Sequence, residues 1–454
     1  MAKKRLLTRI GPAFIVGACV IGPGSVTLMS TTGANYRYQL IWLSLLAGAL
    51  MASFLALFMR FGVLCDDTLL DATGRKLGRW FAVACGITMF LVSGAFQFGN
   101  SLGVTAGMES LCGEGVPQYV WPVAFTAAAI VFLFGFRRIY VILEKMMTFF
   151  LVFMACAFLI NLVWAIAMKP NPGTLLRQAA AGACIPGLPE GVDWVVISGL
   201  VGTTFCLSAA FLQPYLVKAK GWTEQDLASG LADTVMASVM LTLIGTVIMM
   251  TAATVLHPHS GGVDFAIMIG TLQTAFGPYA RIIFSVGFWA AAFSSFLTNS
   301  LIGGVLLNDG LGLGGKLEST TTRVFASCVL LIGMTTALFI IHQDELGKQA
   351  ATAAAPAPSE TAERPDGAPP AATPKKLDLK VAAILVGQAA TMLAIPLGAI
   401  AMVVVLLDDR LTGGRAVPAW AKPLVVFGAC VLLGIAGLTY FKIQPALMAI
   451  LGRG

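Results

Sequence analysis

Charge is scarce in this 454-residue chain: Asp, Glu, Lys and Arg together make up 11% of it, and there are only three histidines. A water-soluble fold of this length needs far more charged surface, so water is excluded as the solvent for most of the chain. Alternation is missing as well. A transmembrane barrel repeats segments of about 10 residues in which apolar and polar positions alternate, whereas the run from Ser238 to Leu256, SVMLTLIGTVIMMTAATVL, is apolar on nearly every face. There is no CxxC metal pair and no phosphate-cradling loop, and His257, His259 and His342 form no catalytic constellation. An enzyme is therefore not expected, and no cofactor is implied. Basic residues outnumber acidic ones, 29 to 22, but they are scattered through loops and build no stripe, which excludes nucleic acid as a partner.

What the chain has is apolar length. Hydrophobic residues make up 57% of it, and its mean hydropathy is +0.85. Runs long enough to cross a hydrocarbon core of about 30 Å recur throughout. Lipid cannot satisfy open backbone groups, so these runs are expected to be helices. The fold class predicted is all-α, a polytopic membrane protein whose partner is the lipid bilayer, with about eleven spans. They are placed at 10–34, 39–64, 81–107, 118–135, 139–168, 193–217, 226–256, 272–308, 323–342, 378–407 and 419–440.

Six cysteines (Cys19, Cys85, Cys156, Cys206, Cys328, Cys430) sit singly inside apolar runs and read as small hydrophobes. Cys112 and Cys184 fall in loops on the same side of the membrane and are candidates for a disulfide. The opening MAKKRLLTRIGPAF lacks a small-residue cleavage site and reads as a retained first helix. Cations gather in alternate loops (Lys3, Lys4, Arg5, Arg9; Arg75, Lys76, Arg79; Arg137, Arg138; Lys218, Lys220; Arg410, Arg415). That asymmetry predicts a cytoplasmic amino terminus, an outside carboxyl terminus and a bacterial inner membrane. Asp233 and the Glu144–Lys145 pair read as snorkelling or interfacial charges at cytoplasmic helix ends. Residues 343–376, rich in Ala and Pro, are expected to be a disordered loop between residues 1–342, which hold nine spans, and 377–454, which hold two; the whole is one transport domain.

The first span contains Ile21-Gly22-Pro23-Gly24-Ser25. Pro removes an amide donor and Gly resists helix, so the backbone there either kinks or unwinds and exposes peptide groups at mid-membrane depth. Five spans later, Gly202-Thr203-Thr204-Phe205-Cys206-Leu207-Ser208, followed by Gln213-Pro214, weakens the sixth span. Two matched interruptions predict an inverted-repeat (5+5) transporter with its site between them.

Gly11-Pro12-Ala13-Phe14, Gly22-Pro23-Gly24-Ser25 and Gly33-Ala34-Asn35-Tyr36-Arg37-Tyr38 resemble the first helix and its exit in the Nramp family of metal-ion transporters. The likeness continues through Arg60-Phe61-Gly62-Val63, Val201-Gly202-Thr203-Thr204, Asp233 to His257, Ser294-Ser295 with Thr298, and Gly387-Gln388 with Ile395-Pro396. The resemblance implies a substrate site at Gly22, Ser25, Thr203 through its carbonyl, Cys206, Ser208, Thr298 and Gln388, with Ser25, Thr203, Cys206 and Gln388 as metal-ligand candidates.

The chain departs from the family where the chemistry is sharpest. The family's metal-binding Asp and Asn correspond to Gly22 and Ser25, its Met to Cys206 and its following His to Ser208. Without the carboxylate, less offsets the dehydration of a divalent cation, and without the Met there is no soft thioether for late transition metals. Cys206 can replace it as a ligand or simply pack. The acidic positions of the family's proton path correspond to Gln97 and Asn100, and amides cannot carry a proton through a change of charge. Thr298, Asn299 and Gln388 either face substrate or tie helices together.

The expected function is transport of a divalent cation, such as partly hydrated Mg²⁺, without proton coupling of the family type. One alternative is a small organic or anionic solute held by amides of the broken first helix. The other is a sensor or scaffold that moves nothing.

Overall fold

A computed structural model describes residues 11–113, 115–136, 138–258, 263, 267, 279–353, 395–412, 415 and 417–450. Among them lie α1 (Pro12–Val20), α2 (Pro23–Tyr36), α3 (Ile41–Leu64), α4 (Leu69–Leu77), α5 (Arg79–Cys112), α6 (Val120–Gly135), α7 (Ile139–Ala167) and α8 (Pro172–Cys184). They are followed by α9 (Trp194–Thr204), α10 (Leu207–Lys220), α11 (Leu227–Val255), α12 (Ala280–Gly310), α13 (Thr320–Ala353), α14 (Ile395–Leu406) and, after two short helical turns (Asp409–Thr412 and Ala419–Ala421), α15 (Lys422–Ile450). No strand occurs among the described residues. Eight helical stretches are long and apolar enough to span, with α9 and α10 together counted as one; the bent pair α1–α2 is a ninth, and the shorter α6 and α14 match the two remaining expected spans.

The interior is formed by α1, α2, α9, α10 and α12, whose apolar faces are largely buried, while α7, α13 and α15 present Phe149, Val163, Phe339 and Phe441 outward. Outward hydrocarbon is what a lipid solvent permits. The structure departs from expectation at several places. α13 runs on to Ala353, so the first part of the predicted 343–376 loop is helix. Its residues, QDELGKQAATA, are mostly strong helix formers, and the first proline comes only at Pro356. Cys112 and Cys184 are both free and exposed.

Asp233 does not snorkel. It is 0% exposed, and its carboxyl oxygens accept from the amides of Gly11 (2.6 Å) and Ala13 (2.9 Å). α1 has no capping side chain of its own, so α11 supplies the acceptor that the first-turn amides need. Glu144 pairs with Lys220 at 2.5 Å rather than with its neighbour Lys145. Asp309, at the end of α12, does the same for α4: its carboxyl accepts from the Leu70 amide (3.0 Å), the Thr68 hydroxyl (2.6 Å) and the Tyr215 hydroxyl (2.6 Å). The ion pairs Lys76–Asp408, Arg415–Glu224 and Lys220–Glu144 join loops that the chain returns to on one face, the face at which α1 begins. Hydrogen bonding from Lys76 holds the Asp408 carboxyl below its ordinary range.

Candidate functional site

Both interruptions read from the sequence are present. α1 and α2 meet at a bend of 57°, with Ile21 and Gly22 between them and Gly22 extended (φ −115°, ψ −176°). Pro23 opens α2, where a missing amide donor costs nothing. α9 stops at Thr204 and α10 starts at Leu207, leaving Phe205 and an extended Cys206 (φ −77°, ψ 97°). A broken helix leaves its last carbonyls without partners, and the two breaks resolve this differently.

At the first break the last four carbonyls of α1 all accept. Gly17 O takes the Ile21 amide (3.3 Å), and Val20 O takes the Gly22 amide (3.1 Å) and the Ser25 hydroxyl (2.5 Å). α12 closes the other two: Ser294 Oγ donates to Ala18 O at 3.1 Å and Ser295 Oγ to Cys19 O at 2.6 Å. At the second break only Val201 O is taken, by the Phe205 amide at 2.7 Å. The Thr203 hydroxyl turns back onto Gly199 O (2.9 Å). No donor among the described residues reaches the carbonyls of Gly202, Thr203 or Thr204.

Between the breaks lies a cavity of about 20 Å³, walled by Cys19, Val20, Gly22, Gly24 and Ser25 from the first break, Thr203 and Cys206 from the second, Phe96 and Asn100 from α5, and Ser295, Asn299 and Ile302 from α12. That volume holds about one water. A second void of about 10 Å³, containing Ser208, shares Phe96 and Cys206 with the first. Asn299 Nδ2 donates to Ser93 O (2.7 Å) and Gln97 Oε1 (3.0 Å), and Asn100 Nδ2 points to the same Gln97 oxygen at 3.5 Å. Gln97 thus sits behind the wall and turns both Asn amides so that their own oxygens stay uncommitted. A Cβ on Gly22 would lie 2.6 Å from Ser295 Oγ and 3.2 Å from Asn100 Oδ1; the glycine is what lets α5 and α12 close on the break.

The structure brings Gly22, Ser25, Asn100, Thr203 and Cys206 together and puts Ser208 in the adjoining void. Thr298 lies elsewhere: its hydroxyl donates to Ser294 O (3.0 Å) and contacts Met147 Sδ (3.7 Å). Gln97 supports the wall without lining it, and Gln388 lies outside the described residues. Cys19, Phe96, Ser295 and Ile302 were not anticipated. Helical spacing held the signal, since Ser295, Asn299 and Ile302 recur at i, i+4, i+7 and share a face, as do Phe96 and Asn100. The site's donors are neutral, and among the described residues no group of three or more His, Cys, Asp or Glu side chains gathers to hold a metal.

Comparison with known proteins places these features in company. The profile described as "Natural resistance-associated macrophage protein-like" (Nramp) matches residues 13–354. The fold is similar to that of a manganese transporter of Eremococcus coleocola, solved in complex with an aromatic bis-isothiourea substituted compound, with a TM-score of 0.75 and 14% identity over 100% of this chain and 89% of that one. It is also similar to a Na⁺-coupled sialic acid symporter (TM-score 0.53, 10% identity, 94% of this chain and 89% of that one). MhsT in complex with L-phenylalanine matches at a TM-score of 0.53 and 13% identity, over 94% of this chain and 97% of that one.

Proposed function

Because the chain belongs to the Nramp family of membrane metal-ion transporters, we propose that the cavity between its two broken helices carries a divalent cation, held through neutral oxygens and with part of its water shell kept. One observation carries this reading: the carbonyls of Gly202, Thr203 and Thr204 end α9 without donors among the described residues, and Thr203 lines the same cavity as Asn100, Asn299, Ser25 and Ser295. Carbonyl, amide and hydroxyl oxygens are hard donors, and hard cations take them. Mg²⁺ suits such a set best, because it dehydrates reluctantly and waters can relay its charge to neutral ligands. Mn²⁺, the ion named for the E. coleocola transporter, has overlapping preferences. The groups left uncommitted at the site are oxygen acceptors rather than amide donors, which weighs against an anionic solute.

Transport proceeds without the family's proton coupling, since Gln97 and Asn100 are amides whose charge does not change. The amino-terminal face, where the loop cations pair, is cytoplasmic. Purified protein in proteoliposomes is expected to take up Mg²⁺ or Mn²⁺ faster than empty vesicles, and Asn299→Leu to slow initial uptake roughly tenfold by removing one ion-facing oxygen. Uptake no faster than in empty vesicles would leave the scaffold reading standing and this one refuted.

A further inference from the structure

Away from the broken helices, on the face where α2 ends, Arg37 is the only non-glycine residue among those described with positive φ (57°, ψ −125°). That conformation strains an L-residue, and strain of this kind persists where the surroundings impose it, often at a binding site. α8 imposes it here. Its Gly182 lies so close over the Tyr38 carbonyl that a Cβ would collide with it, and Trp42 Nε1 donates to Gly187 O at 2.9 Å just beyond the helix. The chain between α2 and α3 is thereby pressed under α8, and a pocket of about 420 Å³ opens beside Arg37.

The pocket's lining is of two chemical kinds. Arg37, Gln39 and Gln178 are polar, and Ala181, Ile185 and Leu188 are apolar. The Arg37 guanidinium lies 5.6 Å over the Tyr38 ring and has no acidic partner among the described residues. Gln178 keeps a buried amide oxygen without a donor. Ile185 and Leu188 are 67% and 50% exposed, which places apolar side chains at a helix end where Tyr36, Trp42, Trp164 and Trp194 also cluster by chain position. Aromatic residues of this kind mark the level of lipid headgroups, and α8 lies between two spans rather than crossing.

We propose that this pocket binds one phospholipid with a hydroxylated, anionic headgroup. Its phosphate takes the Arg37 guanidinium, which offers paired donors to phosphate oxygens; a headgroup hydroxyl donates to the Gln178 oxygen, and the first part of an acyl chain lies along Ile185 and Leu188. The occupant is a lipid rather than free phosphate, because a pocket of this size with apolar lining beside a cation and interfacial placement suits a molecule that is apolar beyond its phosphate. Bound lipid pins α8 to the turn where the broken first span ends.

The test uses the full chain in detergent, titrated with phosphatidylglycerol, phosphatidylcholine or soluble glycerol 3-phosphate and read by native mass spectrometry and thermal unfolding. Phosphatidylglycerol adducts are expected on the wild type and to fall roughly tenfold in Arg37→Gly. That variant relieves the backbone strain, so its unfolding midpoint without lipid should equal or exceed the wild type's, which separates lost binding from lost folding. Arg37→Lys should keep part of the binding. Equal adduct levels in wild type and Arg37→Gly, or equal stabilisation by phosphatidylcholine and phosphatidylglycerol, would overturn the proposal. Stabilisation by glycerol 3-phosphate as large as that by phosphatidylglycerol would overturn the lipid and leave a phosphate site.

Discussion

Asp309→Ala is expected to destabilise the protein by about 3 kcal/mol or more, since it leaves two buried donors without an acceptor, at about 1–3 kcal/mol each when nothing replaces it, and a third that is half-buried. The three come from separate elements: the Leu70 amide and Thr68 hydroxyl at the start of α4, and the Tyr215 hydroxyl on α10. α4 is short and α10 is half of a broken span, so neither has much intrinsic stability to hold its place. Arg79 adds a bond to the Asp309 carbonyl at 2.7 Å, which survives the substitution but cannot serve the orphaned donors. Asp309→Asn keeps one acceptor oxygen and should fall between the two, and Tyr215→Phe should cost about 1 kcal/mol, the worth of one bond. Thermal or denaturant unfolding in detergent reads all three. An Asp309→Ala midpoint equal to the wild type's would mean that this carboxyl does not hold the three elements together.

A second large effect is expected at the first break. If Gly22 stands where the Nramp motif carries a carboxylate, as the sequence resemblance implies, introducing one there should tighten Mn²⁺ binding roughly ten- to a hundredfold, the range for gaining a charged ligand. Gly22→Asp alone should fall short, because its Cβ would lie 2.6 Å from Ser295 Oγ and Ser295 is occupied in closing the Cys19 carbonyl. Ser295→Gly clears that space, so the double variant Gly22→Asp/Ser295→Gly should show the gain. Isothermal titration with Mn²⁺ compares the four proteins. A double variant that binds no tighter than the wild type would show that position 22 does not face the ion.

The architecture could be read from the sequence because its cause is local. Pro23 between two glycines cannot continue a helix whatever surrounds it, and Thr203 to Cys206 stands out as the second polar interruption in an otherwise apolar run. The apolar spans declared themselves by length. Other features depend on partners distant in the chain. Nothing near Asp233 shows that it caps α1, because its two donors lie more than 200 residues away. α8 does not stand out in the sequence, because one amphipathic helix of 13 residues falls below the length that marks a span. Thr298 offers a hydroxyl, but Ser295 and Asn299 of the same helix are the residues that meet the cavity; a polar residue in a membrane helix declares its chemistry and not its direction. The contrast between the breaks was also hidden, since only coordinates reveal that three serines close the carbonyls of α1 while those of α9 stay open.

The most direct measurement is anomalous diffraction from crystals of the wild-type protein soaked in Mn²⁺. An anomalous peak is expected in the cavity, next to the Thr203 carbonyl and the side-chain oxygens of Asn100 and Asn299, with water completing its shell. A peak only elsewhere, or none at soaking concentrations that saturate uptake, would contradict a cation site built from neutral oxygens between two broken helices.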